Sequence, residues 1–271
     1  MQIPDDWQAP ADYLQQRVIL ISGAGSGIGA AVAVACARHG ATVILLDRIV
    51  GNLEQVYDAI EASGGPQAAI YPMNLEGAAE KDYLDLAATL ETEFGRLDGL
   101  LHNAALLGAL IPIANFEAEL WYKVLQVNLN APFLLTRACL PLLTKSADAA
   151  VLFNSDRSGR QGKAYWGAYA ASKAATENFM QVLADELESN TAVRVNSIDP
   201  GPVATPLRAL AYPGEDPASL AAPQDVVLPF LYLLGPDSKG ISGQPVSYTH
   251  LTLPTTIKPC RSRWWGGECG V

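Results

Sequence analysis

Tyr169 and Lys173 stand four residues apart in Tyr169-Ala170-Ala171-Ser172-Lys173, a spacing that puts a phenol and an ammonium on one face of a helix. The cation can lower the phenol's pKa and turn it into a proton donor or acceptor near neutral pH. Upstream, Ser22-Gly23-Ala24-Gly25-Ser26-Gly27-Ile28-Gly29 separates a β-branched run from an amphipathic one. Glycines there let the backbone turn sharply and approach a pyrophosphate, which the N–H groups of a following helix would hold. About 20 residues further on, Asp47 ends the next apolar run, where a carboxylate can accept hydrogen bonds from a ribose diol and repel a 2′-phosphate. That favours NAD. Arg48 follows directly and can pair with a 2′-phosphate instead, so NADP is the alternative.

These residues need elements to position them, and the hydrophobic periodicity supplies an alternating set. Strands are predicted at Arg17 to Ile21, Thr42 to Leu46, Gln67 to Pro72, Gly99 to His102, Ala150 to Phe153 and Ala192 to Ile198. Helices are predicted between them, at Ile28 to His39, Asn52 to Ala62, Lys81 to Phe94, Glu117 to Leu143 and Tyr165 to Glu188. Strand-helix alternation implies right-handed crossovers, hence an α/β fold. The expectation is a single doubly wound Rossmann-type domain, with a mainly parallel sheet and helices on both faces.

Composition narrows the partners. A chain of 271 residues with 49% hydrophobic content can bury one full core. A formal net charge of -10 argues against a nucleic-acid or anionic-membrane surface and for a small-molecule partner. Cys36, Cys139, Cys260 and Cys269 show neither zinc spacing nor a disulfide framework, and Cys36 and Cys139 lie in apolar runs. His39 and His102 read as packing or helix-end residues, since no metal-ligand cluster accompanies either. The first 16 residues are acidic and lack a basic segment followed by an apolar one, and no later apolar run reaches membrane-spanning length. A cytoplasmic protein is expected.

From about Arg17 to Gln244 the chain resembles the short-chain dehydrogenase/reductase family. Gly23, Gly27 and Gly29, with Ser26 and Ile28 between them, resemble its cofactor fingerprint. Leu101-His102-Asn103-Ala104-Ala105 resembles its Asn-Asn-Ala-Gly segment, with His102 and Ala105 departing from the pattern. Asn74, followed by Leu75, stands where the family carries an aspartate near the adenine. Val127-Asn128-Leu129 resembles the segment holding a structural and proton-relay asparagine, and Pro200-Gly201 with Thr205 resembles the nicotinamide-side loop. Leu106-Leu107-Gly108, and the stretch from Gly159-Arg160-Gln161-Gly162 to Tyr169, are worded most like the YciK-like subgroup, described as oxoacyl-carrier-protein-reductase-like. The resemblance implies interconversion of a carbonyl and an alcohol. Tyr169 would exchange the proton, Lys173 would lower its pKa and hold the nicotinamide ribose, and Asn128 would help position a water relay.

One member of that set departs. The family's substrate-orienting serine belongs thirteen residues before the tyrosine, and this chain has Asp156 there. An ionised carboxylate cannot donate to a carbonyl oxygen, and its charge raises the pKa of Tyr169. Ser155 can take over through a bulge; Asp156 can stay protonated and donate, or turn away to pair with Arg157 or Arg160; or the protein binds a dinucleotide as a weakly catalytic sensor or scaffold.

Between Ala204 and Pro223, Leu207, Leu210, Tyr212 and Leu220 suit a partly apolar lid. With Trp166 and the run from Leu106 to Leu110, they imply a substrate of hydrophobic character. Residues 1–16 read as an extension and 17–245 as the domain. Val246 to Val271 resembles the translation of a sequencing-library adapter and reads as read-through, so the family's last strand is missing or mimicked by Val246 to His250. The family resemblance also implies a homodimer or homotetramer, with helices Glu117 to Leu143 and Tyr165 to Glu188 forming the dimer contact.

Overall fold

A computed structural model describes residues 7–247. Seven parallel strands form one sheet in the order β3-β2-β1-β4-β5-β6-β7, with β1 Val18–Ser22, β2 Thr42–Asp47, β3 Ala69–Pro72, β4 Gly99–His102, β5 Ala150–Asn154, β6 Arg194–Asp199 and β7 Pro245–Ser247. The chain winds outward from β1 to β3, then crosses back to place β4 on the other side of β1. That reversal opens a crevice at the carboxyl ends of β1 and β4, where a doubly wound sheet binds its ligand.

Alternation within the strands builds two cores. Ile19 and Ile21 of β1 face α1 (Gly27–Arg38), α2 (Val50–Ala62) and α8 (Val227–Leu234), packing with Val32, Leu53 and Phe230. Val18 and Leu20 face α3 (Glu80–Phe94), α5 (Ala131–Leu143) and α6 (Gly167–Glu188), packing with Tyr83, Leu135 and Met180. Each fully buried aliphatic or aromatic side chain contributes roughly 1.5–3 kcal/mol. Residues 7–16, read from sequence as an extension, dock on α8: Trp7 meets Tyr13 and Tyr232 edge-on, and Leu14 is buried.

The predicted helix from Glu117 to Leu143 is interrupted. It divides into α4 (Ala118–Leu125), a π turn over Gln126–Asn130, and α5. Periodicity sees one apolar face throughout; Asn128, in the middle of the turn, bonds to Leu106 and Ser172. The helix predicted from Tyr165 begins at Gly167, because Tyr165 adopts a left-handed backbone with φ of 74°. The boundary expected at Val246 falls within β7, which pairs with β6 and buries Val246. Residues 248–271, with Cys260 and Cys269, lie outside the described residues. No described helix is long and apolar enough to cross a membrane, and no described cluster of His, Cys, Asp and Glu is fit to hold a metal.

An ionic knot ties the amino ends of the strands. Asp148 pairs with Arg17 and, at 3.0 Å, with Arg194, which is buried and also donates to the carbonyls of Leu233 and Gly235. Asp148→Ala leaves two guanidiniums without their counter-charge. A stability loss of about 3–5 kcal/mol is expected, read from urea unfolding midpoints.

His102 sits in the core, stacked on Phe153 at 4.7 Å and bonded through Nε2 to Thr136 at 2.7 Å. Burial pushes its pKa down from 6.5 to about 3. The folded state therefore keeps it neutral where the unfolded chain protonates. Its contribution is complete above pH 6.5 and is lost as pH falls towards 3, by roughly 3 kcal/mol at pH 4. His102→Asn is expected to flatten the acid limb of the stability profile, measured by chemical unfolding between pH 4 and 7.

Candidate active site

The crevice is a cleft of about 400 Å³ lined from the glycine loop to the lid. Its floor is made where strands end and turn. Gly23 follows β1 with φ of 66°, and a Cβ there would lie 2.7 Å from Ala104 Cα. Gly29, the first-turn glycine of α1, packs behind the loop: a Cβ on it would sit 2.2 Å from the Gly23 carbonyl oxygen and 2.4 Å from Asn103 Nδ2. Only glycines allow the loop and helix to approach this closely. Ser26 occupies the N-cap of α1 without a side-chain cap bond, so it does not cover the helix's first amides.

Asn103 staples this loop to the rest of the site. It donates from Nδ2 to the Gly23 carbonyl at 3.0 Å and accepts on Oδ1 from Asn154 at 2.8 Å. Asn154 in turn offers its carbonyl to the Lys173 ammonium at 2.7 Å. A continuous set of bonds thus runs from the glycine loop to the lysine. Asn154 lines the cleft, and it lies one residue past the strand expected to end at Phe153; its place opposite Asn103 comes only from the pairing of β4 with β5.

Tyr169 and Lys173 lie on the first turns of α6, each about 5% exposed, at 5% and 6%. Lys173 Nζ is 5.6 Å from the Tyr169 ring centre. Burial pushes the Lys173 ammonium down to about 8, against the opposing pull of Asp156, Glu177 and Asp199. Tyr169 moves the other way: burial first, then the carboxylates of Asp156 and Asp199, hold its phenol above the ordinary value. The lowering expected from the lysine is not among the influences on Tyr169, whereas the raising effect expected from Asp156 is.

Asn128 is buried outside the cleft lining. Its Oδ1 accepts the Leu106 N–H at 2.7 Å, and its Nδ2 donates to the Leu106 carbonyl at 2.9 Å and to Ser172 Oγ at 3.0 Å. The side chain is fully used in joining the π turn to the Leu106 loop and to α6. Ser172, unremarked in the sequence, completes that joint by donating to the Tyr169 carbonyl at 2.7 Å.

Asp156 lines the cleft and caps a short turn, with Oδ1 accepting the Ser158 N–H at 2.7 Å. It pairs with neither neighbouring arginine. Arg157 reaches Gln161, and Arg160 reaches Glu177 at 3.1 Å. The β5 register runs unbroken to Asn154, so no bulge precedes Ser155, yet Ser155 also lines the cleft and its buried Oγ has no partner.

The remaining expected positions close the two ends. Asn74 and Leu75 follow β3 and line the cleft on the side of β2 and β3, with Asn74 Oδ1 accepting the Glu76 N–H at 3.1 Å. Pro200 and Gly201 follow β6, and Asp199 Oδ1 accepts the Gly201 N–H at 3.0 Å. Thr205 caps α7 (Pro206–Ala211) through the Arg208 N–H at 3.1 Å. The stretch predicted as a lid is this helix and the turn after it, held by a two-bond pair from Arg208 to Glu215. Trp166, Leu107 and Tyr169 form an apolar wall packed against Leu207 and Tyr212.

Residues 17–216 match the family model for short chain dehydrogenases. The chain belongs to the short-chain dehydrogenase family. It is 46% identical over 237 residues to YciK, an uncharacterized oxidoreductase of Escherichia coli strain K12, covering 88% of this chain and 93% of that one. Two solved short chain dehydrogenases are also similar. The one from Escherichia coli CFT073, complexed with NADPH, is 45% identical with a TM-score of 0.86, covering 89% of this chain and 100% of its own. The one from Shigella flexneri 2a strain 301, complexed with NADP, is 44% identical with a TM-score of 0.86, covering 88% and 99%.

Those complexes correct the preference for NAD drawn from Asp47. The geometry supplies the reason. Asp47 accepts N–H groups from Gly25 at 3.1 Å, Arg48 at 2.7 Å and Ile49 at 3.3 Å, so its carboxylate braces the loop. Three donors offset its charge, and the exposed Arg48 is left on the cleft rim.

Proposed function

We propose that this dehydrogenase uses NADP and works chiefly as a reductase, converting the carbonyl group of a small, partly apolar molecule into an alcohol. The observation that carries this is the burial of Tyr169 beside Lys173 at the end of a cleft that begins at the glycine loop. The dinucleotide fits the residues present: Gly23 and Gly29 let the loop lie flat against Ala104, Asn103 and the first turn of α1, where any Cβ would collide, and Ser155 and Asn154 keep unpartnered buried oxygens at the other end. Gly23, Ser26, Gly27, Ile28 and Gly29 would hold the pyrophosphate, Arg48 the 2′-phosphate, Asn74 and Leu75 the adenine, and Asn103, Lys173, Pro200, Gly201 and Thr205 the nicotinamide half. Bound NADPH supplies the hydride.

The protein's own part is the proton. A phenol held above its ordinary pKa is protonated at neutral pH, so Tyr169 carries the proton that a carbonyl oxygen needs on reduction. Lys173 neutralises the phenolate that donation creates, and Asn128 fixes the π turn and Leu106 loop around it. Trp166, Leu107 and Leu207 exclude water from the reacting end. Exposed Tyr122, Phe133 and Val182 on α4, α5 and α6 support the homodimer expected from the family. Two free, buried cysteines suit the cytosol.

The cofactor assignment is tested by fluorescence titration. Arg48→Ala should weaken NADPH binding by roughly tenfold and leave NADH binding unchanged. Equal weakening of both would remove Arg48 as the 2′-phosphate contact. Oxidation of NADPH across a panel of small ketones tests the activity.

A further inference from the structure

We infer that the cleft also takes substrates whose reacting double bond is C=N, in protonated iminium form, with the Asp156 carboxylate accepting the N–H. The inference rests on the reading of the site as a nicotinamide-dependent reductase. It starts from a mismatch of hydrogen-bond sense: a carbonyl oxygen needs a donor at this position, and a carboxylate is an acceptor. An iminium nitrogen presents a donor and a positive charge, the two properties a carboxylate recognises.

The placement of Asp156 suits that role. One oxygen is fixed by the Ser158 N–H at 2.7 Å, which orients the carboxylate and leaves Oδ2 without a bond to any described residue. The residue lines the same cleft as Tyr169 and is bound by neither Arg157 nor Arg160. Next to it, Ser155 is 7% exposed, lines the cleft, and has an Oγ with no partner, so a second oxygen is ready to accept or donate. The neighbouring charges leave Asp156 available. Arg208 is matched by Glu215 and Glu177 by Arg160, and Lys163 is engaged with the Trp166 and Tyr212 rings and the Tyr212 hydroxyl, so none of these cations pairs with the Asp156 carboxylate.

The chemistry closes without a proton donor. Hydride from NADPH forms a C–H bond at the iminium carbon, and the C=N π pair becomes the nitrogen lone pair. The N–H proton stays where it was, the iminium is reduced to an amine, and NADPH is oxidised to NADP⁺. Ketone reduction on the same residues needs a proton from Tyr169, so the two activities depend differently on Asp156.

The test compares the wild-type chain with Asp156→Asn and Asp156→Ser, both of which keep an acceptor for the Ser158 N–H. Turnover of 2-methyl-1-pyrroline and of cyclohexanone is followed by NADPH oxidation, and binding of 2-methylpyrrolidine to the NADP⁺-loaded chain by calorimetry. Imine turnover and amine affinity should each fall roughly 10- to 100-fold in both variants, while cyclohexanone turnover rises in Asp156→Ser. Imine turnover and amine binding that are absent from wild type, or unchanged by the substitutions, overturn the inference. Ketone reduction without either counts against this inference alone. Amine binding through Asp156 without ketone reduction supports it and counts against the carbonyl reading.

Discussion

Tyr169→Phe is expected to cut ketone reduction by roughly 10²- to 10⁴-fold, the range a positioned acid contributes, while NADPH binding stays close to wild type. The change removes one hydroxyl and keeps the ring, which packs edge-on against Trp166 at 5.7 Å and lies 5.6 Å from Lys173 Nζ. The wall and the lysine therefore stay in place. The phenol is held protonated by burial and by Asp156 and Asp199, and it is the acidic group set beside the apolar wall. With the hydroxyl gone, the alkoxide formed on reduction has no proton source in the wall. Single-turnover NADPH oxidation with cyclohexanone, alongside a fluorescence titration, separates loss of chemistry from loss of binding.

The second large effect is expected at Gly29. Gly29→Ala would put a methyl group 2.2 Å from the Gly23 carbonyl oxygen and 2.4 Å from Asn103 Nδ2, inside any possible contact distance. Both neighbours are fixed. The Gly23 carbonyl accepts from Asn103 at 3.0 Å, and Asn103 is bonded onward to Asn154 at 2.8 Å, so relief requires the glycine loop to lift off the helix. NADPH affinity should fall by at least about 100-fold, and the Asn103 to Lys173 connection should loosen, lowering stability by roughly 1–3 kcal/mol. Calorimetric titration and urea unfolding of the same sample read both. Wild-type affinity in this variant would mean that the loop does not cradle the pyrophosphate.

Much of this site was legible in the chain because its parts are local. The Tyr169 and Lys173 spacing and the glycine run depend on helical geometry and backbone freedom, and the structure brings both to one cleft. Strand-helix alternation likewise sufficed for the doubly wound sheet. What escaped was set by contacts distant in sequence. Asn154 matters because β5 lies beside β4, and Ser172 because the π turn at Asn128 comes to meet it. The π turn itself leaves the apolar face of its helices continuous, so periodicity passes over it. Asp47 misled for a related reason: its carboxylate looked free to select a ribose, but three backbone N–H groups already occupy it. α8, Val227–Leu234, was missed because it is apolar on all sides, as suits a helix pressed between the sheet and the docked residues 7–16.

The most direct test of the proposed reductase is the fate of the C4 hydrogen. Wild-type protein is incubated with NADPH deuterated at C4 and a panel of small ketones led by cyclohexanone, and the products are read by deuterium NMR. The label is expected on the carbinol carbon of at least one alcohol, with the signal lost in Tyr169→Phe. NADPH held tightly in the cleft, with no label reaching any product, would contradict the reductase reading and leave a dinucleotide-binding protein without this chemistry.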